Sequence, residues 1–197
     1  LKEASLNKSL VLNDINYISA QVGLSAWFNK NLWYLAKYAI SFEAMPHLAL
    51  NLTNIISSMY GKSKKCLVLD LDNTLWGGVI GDDGLEGIKI GSETADSEAF
   101  LDFQKSIKEI KARGITLAVS SKNDFDNAKL GFDHPDSILK VDDFTSFKAN
   151  WEPKNINILN IAKEINIGTD SLVFIDDNPS ERELVSSQLE EISVPNI

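Results

Sequence analysis

Three short apolar runs, each ending in acids or hydroxyls, constrain this chain more than any other feature: CLVLDLD at 66–72, ITLAVSS at 115–121 and SLVFIDD at 171–177. They are rich in aliphatic and β-branched residues and bounded by polar ones, which reads as strands buried on both faces. Between the first two, Phe100, Phe103, Ile107 and Ile110 recur at helical spacing until Gly114 closes the pattern, and further helical patterns cover 155–166 and 180–190. Strands alternating with helices predict a mostly parallel sheet covered on both faces, with Ser137–Val141 as a further strand. The segment 76–90, WGGVIGDDGLEGIKI, carries two apolar pieces around Asp82-Asp83-Gly84 and predicts a β-hairpin, with Trp76-Gly77-Gly78 as a flexible lip.

The 197 residues fit one large domain, or one domain with a helical appendage. A single cysteine, Cys66, excludes a disulfide framework and any multi-cysteine metal site, so a reducing, cytoplasmic setting is expected, with Cys66 as a small buried hydrophobe. No stretch reaches the ~18 apolar residues of a membrane span. The chain starts at Leu1, without methionine or leader pattern, and is expected to be cut from something longer. The net charge of −9 argues against nucleic acid as a partner, but it is unevenly spread. Residues 1–65 hold 7 Lys+Arg and 3 Asp+Glu, whereas 66–197 hold 12 and 25. Residues 1–61 are accordingly expected to form a helical N-terminal segment, the tail of a preceding domain or a linker, and 62–197 a catalytic core. In the first region Ser41 is expected to cap a helix running to about Gly61. The aromatic cluster of Trp27, Phe28, Trp33 and Tyr38 is expected to form core contacts against the following domain, with a partner-binding surface as the alternative.

In a parallel sheet ligands bind beyond the carboxyl ends of the strands. The polar ends are Asp70-Leu71-Asp72-Asn73-Thr74, Ser121-Lys122-Asn123 and Asp176-Asp177-Asn178. Carboxylates gathered there need a cation, and an oxygen-only donor set with room for phosphate oxygens suits Mg²⁺. One such carboxylate can attack phosphorus while a second serves as acid and base, and Ser121 and a lysine can hold the phosphoryl oxygens. Asp82, Asp83, Asp142 and Asp143 read as turn or surface acids. Glu181 and Arg182 read as braces for the Asp pair or as partners of each other.

These ends resemble the four ordered motifs of the haloacid dehalogenase (HAD) superfamily. Within it, LDLDNTLWGGVIGDDGLEGIKIG (69–91), SKND (121–124), FKANWEPK (147–154) and FIDDNPSERELV (174–185) are similar to the FkbH-like branch of subfamily IIIC, and NYISAQVGLSAWFNKNLWYLAKY (16–38) is similar to the region preceding the core there. The resemblance implies a Rossmannoid three-layer α/β/α fold, HAD-like, capless or with only a β-hairpin flap, and a Mg²⁺ cofactor. It implies Asp70 as nucleophile and metal ligand, and Asp72 as general acid/base that also offers its backbone carbonyl to the metal. Asp176 and Asp177 would be metal acids, Ser121 the phosphate-binding hydroxyl, and Lys154, rather than Lys148, the conserved-motif lysine, 22 positions before Asp176. Asn73, Thr74, Ser120, Lys122 and Asn123 complete the candidate phosphate- and substrate-binding set. The branch handles glyceryl units: a phosphoglyceryl group from 1,3-bisphosphoglycerate loses phosphate and is loaded on an acyl carrier protein in polyketide-type biosynthesis. The branch commonly has cysteine where this chain has Ser120, which weakens the implied thioester step. Two other readings stand beside it: a general HAD phosphatase acting on another small molecule or a protein, and a non-catalytic docking module with a retained pocket.

Overall fold

The first apolar run forms β1 (Cys66–Leu69), buried along its whole length, in a sheet ordered β3-β2-β1-β4 with every neighbouring pair parallel. The other strands are β2 (Thr116–Ser121), β3 (Ser146–Ala149) and β4 (Leu172–Ile175). In this computed structural model, residue 7 and residues 10–196 are described. They divide into two compact units, Leu1–Ser63 and Lys64–Ile197.

Alternation along the strands sorts the core of the second unit into two clusters. Leu67, Leu69, Leu117 and Val119 face Ile80, Ile107, Ala128 and Phe132, whereas Cys66, Val68, Ala118, Leu172 and Phe174 face Ile158, Ile161 and Val185. The first set of helices comprises α5 (Ile80–Gly87), α6 (Ala95–Ala112) and α7 (Phe125–Leu130); the second comprises α8 (Lys154–Glu164) and α9 (Pro179–Gln188). Helices thus cover both faces, the expected three-layer arrangement. The chain leaves β1 toward β2 and β3 on one side and returns to β4 on the other. This reversal puts the crevice of the sheet beyond the carboxyl ends of β1 and β4.

Several expectations need correction. The third strand is Ser146–Ala149, not Ser137–Val141. Buried Gln104 takes the earlier segment out of the sheet: its Oε1 accepts from the backbone N–H groups of Ile138 and Leu139, both at 3.0 Å, and its Nε2 donates to the Leu75 carbonyl at 2.9 Å. A side chain from α6 therefore satisfies the amides a strand would otherwise have offered a neighbour.

The 76–90 segment is closed at its base like a hairpin, with Gly77 and Lys89 exchanging both backbone hydrogen bonds, but its interior is α5, two short helical pieces broken at Gly84 (φ 67°), rather than two strands joined by a tight turn. Asp83, read as a turn or surface acid, is exposed and accepts from Val79 N–H at 2.8 Å at the start of that helix, where a carboxylate is favourable. Nor is Trp76 a lip. It is wholly buried, edge-on to Phe132, and Gly131 is required beneath it because a Cβ there would lie 2.4 Å from the indole.

Asp143, expected at the surface, is buried and receives Lys108 (2.6 Å), Lys111 (2.6 Å) and the Lys140 N–H (2.9 Å). Burial alone raises a carboxyl pKa, but these donors outweigh it and hold Asp143 at about 2, below its ordinary 3.8. A depressed pKa contributes stability that is complete above the unfolded value and lost as pH falls through the folded one. Because both lysines are substantially exposed, we expect only ~1 kcal/mol. Urea midpoints of wild type and Asp143→Asn should converge as pH is lowered from 5 toward about 2. A gap that persists at the acid end would exclude this origin.

The first unit consists of α1 (Ile15–Val22), α2 (Leu24–Trp27), α3 (Lys30–Ala36) and α4 (Met45–Met59). Ser41 does serve the start of α4, its Oγ accepting from Ala44 N–H at 3.2 Å while donating to the Ala26 carbonyl at 2.6 Å. Pro46 falls in the first turn, where its missing N–H costs nothing. The aromatic cluster is not core, since Phe28, Trp33, Tyr38 and Phe42 are all exposed. Four short helices cannot enclose that many rings among themselves, and among the described residues of this unit only Ile18, Ser19, Ser41 and Ala44 are buried. Among the described residues no helix is long and apolar enough to cross a membrane.

Candidate active site

β1 and β4 end side by side, Asp70 N–H donating to the Ile175 carbonyl at 3.0 Å, and the acids that follow them converge. Carboxylate oxygens of Asp70, Asp176 and Asp177 lie within 4.8 Å of one another, the first two buried and the third exposed. Lys154, the first residue of α8, enters from below. Its Nζ is buried, 3.0 Å from Asp70 Oδ1 and closer still to Asp176 Oδ2. Lys148 is elsewhere, paired with Glu164 at 2.7 Å.

The electrostatics follow from three carboxylates sharing one ammonium. Burial, reinforced by Asp176 and opposed by Lys154, pushes the Asp70 carboxyl up to about 6. Burial and then the Asp176 charge likewise raise Asp177. For Lys154 burial acts to lower the pKa, but Asp70 and Asp176 outweigh it and the ammonium is held charged. Asp70 Oδ1 is buried and makes no well-formed hydrogen bond. An oxygen-only cluster of three carboxylates sharing one ammonium is electron-rich and fits a small hard cation.

Asp72 points away from that cluster into a frame of donors. Its Oδ1 accepts from Trp76 Nε1 (2.9 Å) and Ile80 N–H (3.0 Å), and its Oδ2 from Asn123 Nδ2 (2.9 Å). Burial nevertheless raises its pKa above the usual carboxylate value. Asn73 adopts a left-handed φ of 55°, accepting from Gly78 N–H through Oδ1 at 2.8 Å. Thr74 is buried, its Oγ1 accepting from Asp177 N–H at 3.2 Å, so it fixes the acid pair rather than lining the cavity.

A cavity of ≈190 Å³ lies over these groups, lined by Asp70, Asp72, Asn73, Ser121, Lys122, Lys154, Asp177, Asn178 and Glu181. Most of the expected set therefore comes together. Ser120 does not line it: alternation turns Ser121 to the face of Val119 and Ser120 to that of Ala118, where Ser120 is wholly buried with its Oγ unpartnered. Asn123 acts through Asp72. Cys66 sits at the opposite end of β1, and burial pushes its thiol up to about 12.

Of three supporting residues, sequence reasoning missed the roles of Trp76 and Glu181 and anticipated the bracing by Arg182. Trp76 orients Asp72. Arg182 donates through Nη1 to the carbonyls of Asp176 and Asp177, both at 2.7 Å, bracing the acid pair. Glu181 reaches across the cavity mouth to Lys122 at 2.5 Å instead of pairing with its neighbour Arg182. Only the Arg182 contact had a signal in the sequence, a guanidinium one helical turn beyond the two acids.

No protein-family model matches the sequence, and no curated protein does. Among solved structures, the N-terminal part of protein BF1531 from Bacteroides fragilis, containing a phosphatase domain complexed with Mg, superposes with a TM-score of 0.94 at 41% identity over 100% of this chain. The fold is HAD-like. The chain spans about half, 52%, of that structure's length. A HAD family enzyme from Bacteroides thetaiotaomicron, in complex with magnesium and inorganic phosphate, overlaps 68% of this chain and 94% of its own, at 17% identity and a TM-score of 0.46. A HAD-superfamily hydrolase of subfamily IA from Geobacter sulfurreducens overlaps 67% and 88%, at 12% identity and 0.44. Relative to the expected minimal flap, this HAD-like core carries the loop 76–90 with α5 inside it.

Proposed function

We propose that this chain is a Mg²⁺-dependent phosphoryl hydrolase or transferase working through a phosphorylated Asp70. The observation that carries this reading is the charge arithmetic of the crevice: Asp70, Asp176 and Asp177 converge on one lysine at the ends of β1 and β4, with Ser121 and Lys122 on the same cavity wall. Three carboxylates against one ammonium leave an excess of two negative charges, so a phosphate would be repelled until a dication is bound. Asp70, Asp176 and Asp177, with the Asp72 carbonyl, are the groups that would hold Mg²⁺, which supplies charge neutralisation and alignment of the phosphoryl oxygens. The Bacteroides fragilis phosphatase domain of matching fold, crystallised with Mg, supports the same ion here.

Asp70 then attacks phosphorus in line, forming an acyl phosphate as the ester oxygen departs. Asp72, whose raised pKa favours the protonated form, gives that oxygen its proton and afterwards takes one from the water that hydrolyses the acyl phosphate. Trp76, Ile80 and Asn123 hold its carboxyl while leaving Oδ2 a lone pair for the proton. Ser121 and the two lysines donate to the phosphoryl oxygens.

For the substrate we infer a phosphoglyceryl group from 1,3-bisphosphoglycerate, destined for an acyl carrier protein. The FkbH-like motifs and the positive balance of residues 1–65, which suits an acidic partner, support this. Wholly buried Ser120 offers no acyl relay, so the phosphatase half rests on more residues than the transfer half. Incubation with 1,3-bisphosphoglycerate and Mg²⁺ should release phosphate, with a glyceryl adduct on the carrier visible by intact mass. Phosphate release without any adduct would leave a general phosphatase.

A further inference from the structure

Helix α8 starts where its sequence gives it little reason to start. Pro153 stands at the cap with no side-chain hydrogen bond, and the first residue, Lys154, puts a cation where the helix dipole disfavours one. Nor does packing locate that turn, because Trp151, Glu152 and Pro153, which lead into it from β3, are all exposed. Ile158 and Ile161 seat the helix against the sheet, but apolar contacts are non-directional. The directional contact is a pair of amides. Asn157, buried just beyond the first turn, donates through Nδ2 to Asn150 Oδ1 at 2.8 Å and accepts from Asn150 Nδ2 at 3.2 Å. Asn150 Oδ1 also accepts from the Glu152 N–H at 3.0 Å, which ties the connecting loop to the same point. Asparagine is a poor helix former, and two apolar side chains could fill this space with nothing to pair. Fold stability therefore does not account for the pair, but its neighbours do. The Asn150 N–H donates to the Ser121 carbonyl at 3.1 Å, so one residue holds the backbone of Ser121 and, through Asn157, the turn that carries Lys154.

We propose that Asn150 and Asn157 are positioning residues of the phosphoryl site: their paired amides clamp the end of β3 to the first turn of α8 and so fix Lys154 Nζ relative to Ser121. This rests on the phosphoryl-transfer reading above and deepens it. Neither amide lines the cavity, so both act through the two donors rather than on substrate. Asp70, Asp176 and Asp177 follow β1 and β4, so the clamp governs the donors and leaves the metal acids in place. Catalytic groups are sensitive to such placement, a displacement of about 1 Å costing up to ~100-fold. Losing the clamp therefore weakens the hold on the phosphoryl oxygens without weakening the hold on the cation.

The test reads two affinities by calorimetry on the full chain: Mg²⁺ alone, and orthovanadate, a mimic of the phosphoryl group in flight, in the presence of Mg²⁺. Asn157→Leu should keep the Mg²⁺ affinity and lose about 10-fold for vanadate. The double variant Asn150→Leu/Asn157→Leu leaves no amide unpaired, so it should recover the urea midpoint lost by the single variant while staying about 10-fold weak for vanadate. Added to Lys154→Met, Asn157→Leu should weaken vanadate no further. Unchanged vanadate affinity in Asn157→Leu, Mg²⁺ and vanadate affinities falling together, vanadate binding restored in the double variant, or a full additive loss beside Lys154→Met overturns the proposal. Failure of wild type to bind vanadate would instead refute the phosphoryl reading. The clamp is then judged by urea midpoints in chelator, where Asn157→Leu should shift wild type more than Lys154→Met, and an equal shift would overturn it too.

Discussion

Asp70→Asn should abolish phosphate release, lowering it by ~10³-fold or more, while leaving the protein folded. Asparagine matches aspartate in shape but offers no anionic oxygen to attack phosphorus, so the acyl phosphate cannot form. The structure adds a second expectation that a generic loss of function would not produce. Asp70 is buried, its carboxyl is pushed up to about 6, and its Oδ1 makes no well-formed hydrogen bond. Removing one of three crowded carboxylates relieves repulsion, so in chelator Asp70→Asn should unfold at a higher urea concentration than wild type. Asp72→Asn provides the contrast, because it keeps the nucleophile but loses the proton carrier. With a good leaving group it should accumulate a phosphoryl adduct, seen by intact mass, that Asp70→Asn never shows. Phosphate release surviving in Asp70→Asn would refute the nucleophile assignment.

Lys154→Met should carry the largest stability change in the chain. The ammonium is buried between Asp70 and Asp176, and methionine fills similar volume without the charge. Removing one partner of a buried ionic cluster costs about 3–5 kcal/mol, because the acids left behind remain desolvated and now repel each other. The loss should be greatest in chelator and partly restored by Mg²⁺, since a dication can take over the neutralising role. Activity should fall at least ~100-fold even at saturating Mg²⁺, because a donor to the phosphoryl oxygens is gone. An unfolding midpoint in chelator equal to that of wild type would sink this account of Lys154.

The crevice was legible in the sequence because strand ends have a strong signature. A buried parallel strand is a near-continuous apolar run, so acids closing CLVL and LVFI stand out, and the alternation of strands with helical periods brings them to one rim. Lys154 was legible through its spacing and the helix that starts on it. What failed were segments whose amides are satisfied by distant side chains. Ser137–Val141 has the apolarity of a strand, yet Gln104 binds its backbone from 34 and 35 residues away, and no local pattern reports that. The stretch around Asp82-Asp83-Gly84 has turn composition, but Asp83 caps a helix there. Ser120 and Ser121 look interchangeable as letters, and only the pleat separates the one buried under the sheet from the one facing the pocket. The aromatics at 28–42 follow a core-like composition while remaining exposed, because burial depends on what surrounds a helix as well as on its own face.

The loop pinned by Gly77 and Lys89 has a bearing on how such a scaffold can be altered. Its helix gives the Ile80 amide, and its first residue the Trp76 indole, to the same oxygen of Asp72. Asp72 and the flap are therefore one mechanical part: any displacement of segment 76–80 reaches the Asp72 carboxylate through two direct hydrogen bonds. Grafting a different flap to change substrate range would misalign the chemistry unless residues 72–90 were transplanted as a single cassette. The same linkage gives a substrate pressing on the flap a direct route to the timing of proton transfer.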